Sequence, residues 1–180
     1  MANNLLRAQV GFKLENKLSR SEVPEIFLHA GQHHVAASPT LLKMILGSCA
    51  GVFLFDPLLE MGGGTHYMLP HYSSGHPSAR YGDIAIPNLL ENFRALGSNR
   101  KNLEARVFGG GSMLSALREM PGNQGGHIGE RNVEIAKEIL AAASIPVVER
   151  DVLGSRGRMV TMLSNTGEVT LEFISQSDGH

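Results

Sequence analysis

The 180-residue chain has one cysteine and no tryptophan. Its single cysteine, Cys49, has no partner in the chain for an internal disulfide. A disulfide framework is therefore excluded, a reducing compartment is indicated, and any role of Cys49 is that of a free thiol. Aromatic residues make up only 6% of the chain, so the sequence predicts a core built from Leu, Ile, Val, Met and Ala.

Long hydrophobic runs and an excess of one charge are also missing. The first residues lack the continuous apolar stretch of a signal peptide, and no window approaches the roughly 18 to 20 apolar residues that cross a bilayer. The 16 basic and 17 acidic residues give a formal net charge of −1, which predicts no basic surface for nucleic acid. We therefore expect a soluble cytoplasmic protein that neither inserts into a membrane nor binds nucleic acid.

The length suits one globular domain with a sizeable core. Residues 1–22 are mixed and polar and are predicted to be an N-terminal extension of a single domain at residues 23–180. Within that domain, strand-like segments occur in blocks with a few helices between them, without strict alternation. This order predicts an α+β fold, a compact sandwich of mostly antiparallel sheet with flanking helices.

Local patterns predict the individual elements of this sandwich. The apolar runs around Gly47 indicate strands on both sides of it, or a strand–turn–helix. The other strands are expected in "EIFLHA" (25–30), in "THYML" (65–69), at residues 105–108, in "IPVVERDVLG" (145–154), and in a hairpin around residues 165–167. Helices are expected from Asp83 to Gly97 and in "RNVEIAKEILAAA" (131–143), with loops or turns at residues 31–39, 62–64 and 116–129.

Cys49 lies in an apolar, glycine-containing stretch, "ILGSCAGVFLFD" (45–56). A buried thiol is the commonest role of a lone cysteine in such surroundings, and the residues taken alone favour it. Nucleophilic catalysis is the competing interpretation. Gly47 and Ser48 permit a sharp turn that brings backbone N–H groups near a substrate carbonyl, and the strand-forming run that follows gives rigid support.

His66 is the candidate base for this thiol. An unperturbed cysteine has a pKa of about 8.5, so it is mostly protonated at neutral pH and needs a base or a positive partner to attack a carbonyl. His66 lies on a predicted neighbouring strand and is also a candidate proton donor to a leaving amine. The chain has eight histidines, so spacing alone does not select this pair.

The other motifs point to less specific chemistry. No histidine pair has the H-E-x-x-H spacing, and a single cysteine excludes the Cys-rich zinc patterns, so neither a metal nor a cofactor is predicted. The glycine runs "MGGGTH" and "VFGGGSM" match no phosphate-binding loop. For Arg156 and Arg158 two interpretations are open, binding of an anion or acidic partner and solvated hairpin charges.

An ordered series of motifs resembles one family, the chemoreceptor glutamine deamidases called CheD. The series covers residues 25 to 175 and consists of "LGSC" (46–49), "FDP" (55–57), "THYMLP" (65–70), "RYGDIAIPNLL" (80–90), "VFGGGSML" (107–114), "IGERNV" (128–133) and "GSRGRMV" (154–160). The resemblance implies an α+β sandwich similar to the catalytic domains of deamidating toxins. It also implies hydrolysis of glutamine side chains on chemotaxis receptors to glutamate and ammonia.

The resemblance assigns roles to particular residues. Cys49 is the implied nucleophile, which forms a thioester intermediate with the substrate. His66 is the implied general base and general acid. Gly47, Ser48 and Thr65 are predicted to bind the substrate or its oxyanion. Some members carry a threonine six residues before the cysteine that helps to orient the histidine. Here that position is Lys43, so Thr40, Ser48 or a backbone carbonyl is expected to replace it.

The implied partners are the helical cytoplasmic regions of the receptors and, in organisms that have one, a CheC-type phosphatase. A shallow groove lined by loops at 71–82 and 109–127 would suit a helical substrate. Two alternatives stay open. One is a binding module that docks the phosphatase or a receptor without turnover, which the departure at Lys43 favours. The other is a different Cys/His acyl-transfer enzyme, such as an amidase or a protease.

Overall fold

The computed structural model describes residues 22–112 and 127–174. Two β-sheets face each other, and two helices pack on the opposite side of the larger sheet. The predicted α+β class and the sandwich with flanking helices are therefore confirmed. The predicted N-terminal extension lies almost wholly outside the described residues, as does most of the loop predicted at 116–129.

The elements follow one another closely along the chain. The helices are α1 (Gly82–Ala95) and α2 (Ile128–Ala142), and a 3₁₀ turn spans Arg100–Asn102. The strands are β1 (Glu25–Phe27), β2 (Gln32–Ala36), β3 (Leu41–Leu46), β4 (Ala50–Asp56), β5 (Met61–Tyr67), β6 (Glu104–Gly109), β7 (Val147–Val152), β8 (Arg158–Leu163) and β9 (Val169–Phe173). The smaller sheet has the order β1-β3-β8-β9, and the larger sheet has the order β2-β5-β4-β6-β7.

The pairing of these strands is mostly antiparallel, as predicted. Among the described strands, β1 pairs with β3 and β6 pairs with β7 in parallel, and the other five pairings are antiparallel. The predicted hairpin forms between β8 and β9, with Gly167 at a φ of 71° in its turn. Strands therefore flank Gly47 on both sides, and the strand–turn–helix alternative was wrong.

Strand β4 lies at the centre of the molecule, and all seven of its residues are buried. Val52 and Leu54 belong to the core beneath the helices, whereas Phe53 belongs to the core between the two sheets. A strand that is covered on both faces needs apolar residues at successive positions. This explains the unbroken apolar run of β4, which carries the chain away from Cys49.

Helix α1 follows the predicted pattern with one correction at its start. Ile86, Leu89 and Phe93 are buried against the larger sheet. The helix begins at Gly82, one residue before the predicted start at Asp83. The Asp83 carboxylate accepts the backbone N–H of Tyr72 at 3.0 Å, which holds the preceding loop against the first turn.

Two other predictions were wrong. The stretch at 31–39 was expected to be a turn-rich connection, but residues 32–36 form β2 at the edge of the larger sheet. The run Gly62–Gly64 was expected to be a loop or turn, but it lies inside β5 and is buried. A side-chain carbon at Gly63 would lie 2.8 Å from both His34 O and Phe93 Cε2. These glycines allow the strand to pack closely between the smaller sheet and α1.

Substitution of Gly62 by alanine is expected to destabilise the fold. The new Cβ would lie 2.6 Å from the Ser164 carbonyl oxygen and 2.9 Å from its Cα, and backbone atoms cannot move aside cheaply. We expect a loss of about 1–3 kcal/mol in the free energy of unfolding, measured by urea denaturation. Gly157→Ala is the matched control, because its Cβ would meet Ile174 at an ordinary 3.5 Å. Equal stability of the two variants would contradict the close packing of β5.

Candidate active site

Cys49 lies in the short connection between β3 and β4, one residue before β4 begins. Its thiol is free and half-buried. The side chain packs against the apolar cluster between the two sheets, which includes Leu46 and Phe53. Cys49 is therefore at the rim of the inter-sheet core and is partly open to solvent.

His66 lies near the end of β5, and its side chain points between the two sheets. A side-chain carbon at Gly64, on the same face of the strand, would meet Phe53 and Met44 of the inter-sheet cluster at 2.6 and 2.8 Å. The ring Nδ1 lies 2.9 Å from the backbone carbonyl oxygen of Leu28. Because that oxygen can only accept, Nδ1 carries the hydrogen and the neutral ring presents an unprotonated Nε2. Among the described residues Nε2 has no hydrogen-bond partner, so it is available to accept a proton.

The register of the two strands brings Cys49 and His66 to the same region. Gly51 lies directly opposite His66 in the β4–β5 pairing. A side-chain carbon at Gly51 would lie 2.6 Å from Met44 Sδ, so this position also faces the smaller sheet. Cys49 precedes Gly51 by two residues and lies just outside the paired ladder, which begins at Ala50. A residue that continued the ladder at this position would be a diagonal neighbour of His66, with Cα atoms about 7–8 Å apart.

Burial sets the charge states of both groups. It raises the pKa of the Cys49 thiol, and the residue's own backbone N–H lowers that pKa by a smaller amount. Burial also lowers the pKa of His66, the Leu28 carbonyl partly opposes this shift, and electrostatic repulsion from the nearby His29 lowers the pKa further. The resting site therefore holds a thiol and a neutral imidazole at neutral pH, and not a thiolate–imidazolium pair.

The group that orients His66 is the Leu28 carbonyl, one of the three replacements expected for the missing threonine. The Leu28 N–H donates to the Lys43 carbonyl at 2.8 Å. The Lys43 ammonium group forms an ion pair with Glu25 at 2.6 Å. Lys43 therefore supports the ring through its main chain, and its side chain is occupied elsewhere. The Thr40 hydroxyl donates to the carbonyl two residues before it and does not contact His66.

The segment Gly47–Cys49 is held through its carbonyl groups. The donors to the carbonyls of residues 47, 48 and 49 are, in that order, the Gly111 N–H at 2.7 Å, the Asn132 side-chain amide at 3.0 Å and the Gly110 N–H at 2.7 Å. In the described part of the chain, neither Ser48 nor Cys49 donates its N–H to another backbone group. The turn is thus fixed in place by its carbonyl groups, and its Ser48 and Cys49 N–H groups are not taken up by these backbone contacts.

Thr65 is placed away from these groups. It is the neighbour of His66 on β5, so its side chain points to the opposite, helix-covered face of the sheet. Thr65 is fully buried, and its hydroxyl donates to the Gln32 carbonyl at 3.3 Å. The structure therefore does not bring Thr65 to Cys49 and His66, and we do not assign it a role with the substrate.

Neither interpretation of Arg158 from the sequence was correct. Its side chain is 1% exposed and donates to the Asp151 carboxylate and to the carbonyls of Asp151, Leu153 and Arg156. It is therefore neither a solvated charge nor free for an anion. Arg156 is exposed, and its guanidinium carbon lies 3.8 Å from the centre of the Phe173 ring.

Sequence reasoning left one group at this site open and missed another. A backbone carbonyl was one of the three candidates for orienting His66, but nothing in the residue types identified Leu28 as its source. Asn132 lies within the motif "IGERNV", yet nothing in the pattern separated it from an ordinary helix residue. Within residues 22–112 and 127–174, no group of three or more His, Cys, Asp and Glu side chains could hold a metal ion. No described helix is long and apolar enough to span a bilayer.

Comparisons of this chain with known proteins agree on one family. The family model described as CheD chemotactic sensory transduction matches residues 68–173. This match covers more than half of the chain but begins after His66, so neither Cys49 nor His66 lies within it.

Two curated relatives extend the similarity. One, named probable chemoreceptor glutamine deamidase CheD 1, from Anaeromyxobacter dehalogenans, is 43% identical over 74% of this chain and 75% of its own length. Another, named probable chemoreceptor glutamine deamidase CheD, from Sulfurimonas denitrificans, is 35% identical over 87% of this chain and 99% of its own length. A solved structure, the hypothetical protein YfiH of Bacillus licheniformis, has a TM-score of 0.44 and 17% identity, over 68% of this chain and 51% of its own.

Proposed function

The chain belongs to the CheD family, and from that premise we propose that it hydrolyses glutamine side-chain amides on chemotaxis receptors. Cys49 is the nucleophile and His66 is the general base and acid, and the products are glutamate and ammonia. The observation that supports this proposal most strongly is the placement of His66, whose Nδ1 is held by the Leu28 carbonyl 2.9 Å away while Nε2 is left without a partner.

The first half of the reaction forms an acyl-enzyme. Nε2 of His66 takes the proton from the Cys49 thiol as the sulfur attacks the amide carbonyl carbon. The carbonyl π electrons move to the oxygen, which is stabilised by the N–H groups of Ser48 and Cys49. Protonated His66 then gives its proton to the nitrogen. The carbon–nitrogen bond breaks, ammonia leaves, and a thioester remains.

The second half regenerates the thiol. His66, now neutral again, takes a proton from water as the water oxygen attacks the thioester carbonyl. The carbon–sulfur bond breaks, and the proton returns from His66 to the Cys49 sulfur. Gly47 contributes by holding the turn that directs the two N–H groups, because its carbonyl is fixed by Gly111 at 2.7 Å.

The pH dependence should follow His66. The base must be neutral, and burial places the pKa of His66 below its ordinary value. As the pH falls, kcat/KM should therefore stay on its plateau through about 6.5 and decline only below it. Initial rates across this range test the prediction. An acid limb with its midpoint above about 6.5 would contradict the assignment of neutral His66 as the base.

The proposed reaction is tested with a receptor cytoplasmic fragment as substrate. The fragment is incubated with the protein, and conversion of individual glutamines to glutamate is followed by peptide mass spectrometry. Conversion above the rate without protein supports the proposal. Absence of conversion, with binding of the fragment detected by calorimetry, would instead support the binding module. Hydrolysis of small glutamine amides with no preference for the receptor would favour a general amidase.

We also propose a second partner, and this proposal rests on the family resemblance alone. A CheC-type phosphatase is expected to bind the protein in organisms that encode one. Size-exclusion chromatography of the two purified proteins tests this expectation. Separate elution at concentrations well above the micromolar range would remove the phosphatase from the proposal.

A further inference from the structure

The side chain of Asn132 joins the two segments that carry the candidate catalytic pair. Its amide nitrogen donates to the Ser48 carbonyl at 3.0 Å and to the Met68 carbonyl at 3.0 Å. Ser48 immediately precedes Cys49, and Met68 follows His66 by two residues. One buried amide on α2 therefore fixes the turn of the nucleophile to the strand of the base.

The amide is suited to this contact through its donor half alone. Both partners are carbonyl oxygens, so only the NH₂ group can face them, and its two hydrogens match the two acceptors. Asn132 is fully buried, and among the described residues its own Oδ1 has no hydrogen-bond partner. A buried acceptor without a partner is unfavourable for folding. The two hydrogen bonds that it donates therefore account for an asparagine side chain at this buried position.

Packing around Asn132 brings α2 close enough for these bonds. A side-chain carbon at Gly129 would lie 2.3 Å from the Gly110 carbonyl oxygen, so the first turn of α2 contacts the loop after β6 directly. The Gly110 N–H in turn donates to the Cys49 carbonyl at 2.7 Å. On the other side, the Tyr67 hydroxyl donates to the backbone carbonyl of Asn132 at 2.6 Å. The motif "IGERNV" thus packs against both catalytic segments.

We infer that Asn132 is a positioning residue that fixes the separation and orientation of Cys49 and His66. This inference deepens the deamidation proposed above and rests on it for the rate effect. Without the two donated bonds, the turn at Ser48 and the end of β5 are no longer held to a common point. Proton transfer between the thiol and the imidazole is sensitive to displacements of about 1 Å, which can reduce a rate by about 10²-fold.

Two variants remove the donors in different ways. Asn132→Leu keeps the branched shape and the number of side-chain heavy atoms, and Asn132→Ala leaves a space in which water can satisfy the two carbonyls. Ile135→Val, on the same helix and also buried, is the matched control for a small packing change. Thermal unfolding is recorded for each, so that only folded variants are compared.

Two readouts separate positioning from stability and from the proposed function. The first is deamidation of the receptor fragment, in which folded Asn132 variants should lose about 10²-fold in kcat with little change in KM. The second needs no receptor. The rate of Cys49 alkylation by iodoacetamide is measured near pH 7, where His66 must assist, and near pH 10, where a free thiolate reacts unaided. The ratio of the two rates should fall in the Asn132 variants toward that of His66→Ala and should be retained in Ile135→Val.

The alkylation ratio decides the inference. A folded Asn132 variant that keeps the wild-type ratio overturns it, whatever its deamidation rate. If the wild-type protein shows no deamidation, the proposed function fails, but a lowered ratio in the Asn132 variants still supports positioning. If deamidation proceeds and both the ratio and kcat are unchanged in these variants, the proposed function stands and the role of Asn132 is purely structural.

Discussion

Replacement of Cys49 by alanine is expected to abolish conversion of receptor glutamines and to leave the fold intact. The half-buried thiol is the only thiol in the chain. Loss of a nucleophile in comparable acyl-transfer sites costs on the order of 10⁴- to 10⁶-fold in kcat. Alanine removes one sulfur atom from the rim of the core, so the change in stability should be small.

The measurement compares wild type, Cys49→Ala and Cys49→Ser by mass spectrometry of the same receptor fragment. Serine keeps the shape of the side chain but is a much poorer nucleophile beside a single histidine, so it serves as the matched control for packing. Rapid acid quenching of the wild-type reaction should also trap a thioester between the two proteins. Undiminished conversion by Cys49→Ala, or an adduct that persists in it, would refute the role of Cys49.

His66→Ala should lower the rate without adding to the effect of Cys49→Ala. General base and acid catalysis by histidine contributes about 10²- to 10⁴-fold, and the two residues act in the same steps. The double variant should therefore be no slower than Cys49→Ala alone. A further loss in the double variant would indicate that His66 acts on the substrate independently of the thiol.

The layered architecture could be predicted from the sequence because it follows from residue patterns. The apolar run of β4, the amphipathic helices and the turn at Gly167 each have a local signal, and the structure confirms each of them. The strand β2 has no such signal, because its residues alternate poorly at the edge of the sheet. The glycines of β5 were misread because their reason is a tertiary one. They fit between the smaller sheet and α1, and neither neighbour is visible in the local sequence.

Of the candidate site, only the side chains could be predicted from the sequence. Cys49 and His66 were predicted to be a pair, and the strand register places Gly51, two residues after Cys49, directly opposite His66. A backbone carbonyl was one of the candidates for the orienting group, but its location at Leu28 escaped prediction, because any residue at position 28 would supply it. The lysine at position 43 stands where some family members have a threonine, and the structure explains how His66 is oriented without that threonine. Lys43 reaches the site through its carbonyl, so the type of its side chain matters little there.

Arg158 illustrates a charge whose role depends on contacts that the sequence does not reveal. Its guanidinium connects β8 of the smaller sheet to the end of β7 in the larger sheet and to the loop between them. Residues 111 and 112 connect that loop to the turn before Cys49. The Ser112 N–H donates to the Gly154 carbonyl of the loop at 2.8 Å, and the neighbouring Gly111 N–H donates to the Gly47 carbonyl of the turn at 2.7 Å. Arg158 therefore supports the sandwich and, indirectly, the turn before Cys49.

Arg158→Met is expected to lower the free energy of unfolding by about 2–4 kcal/mol. Methionine keeps much of the buried volume but leaves the carbonyls of Leu153 and Arg156 without this donor. The Asp151 carboxylate is 43% exposed and can be hydrated, so the loss should not reach the largest values seen for fully buried ion pairs. Urea denaturation of the wild-type and variant proteins at one pH measures the difference.

Arg156→Ala is the matched control, because this neighbouring arginine is exposed and stacks on the same Phe173 ring. An exposed cation–π contact contributes about 0.5–1 kcal/mol, so its removal should cost several times less than Arg158→Met. Equal effects of the two substitutions would mean that the aromatic contact, and not the buried hydrogen bonds, is the main contribution of Arg158. A larger effect of Arg158→Met would show that the buried hydrogen bonds of this arginine hold the two sheets together at the end nearest the candidate site.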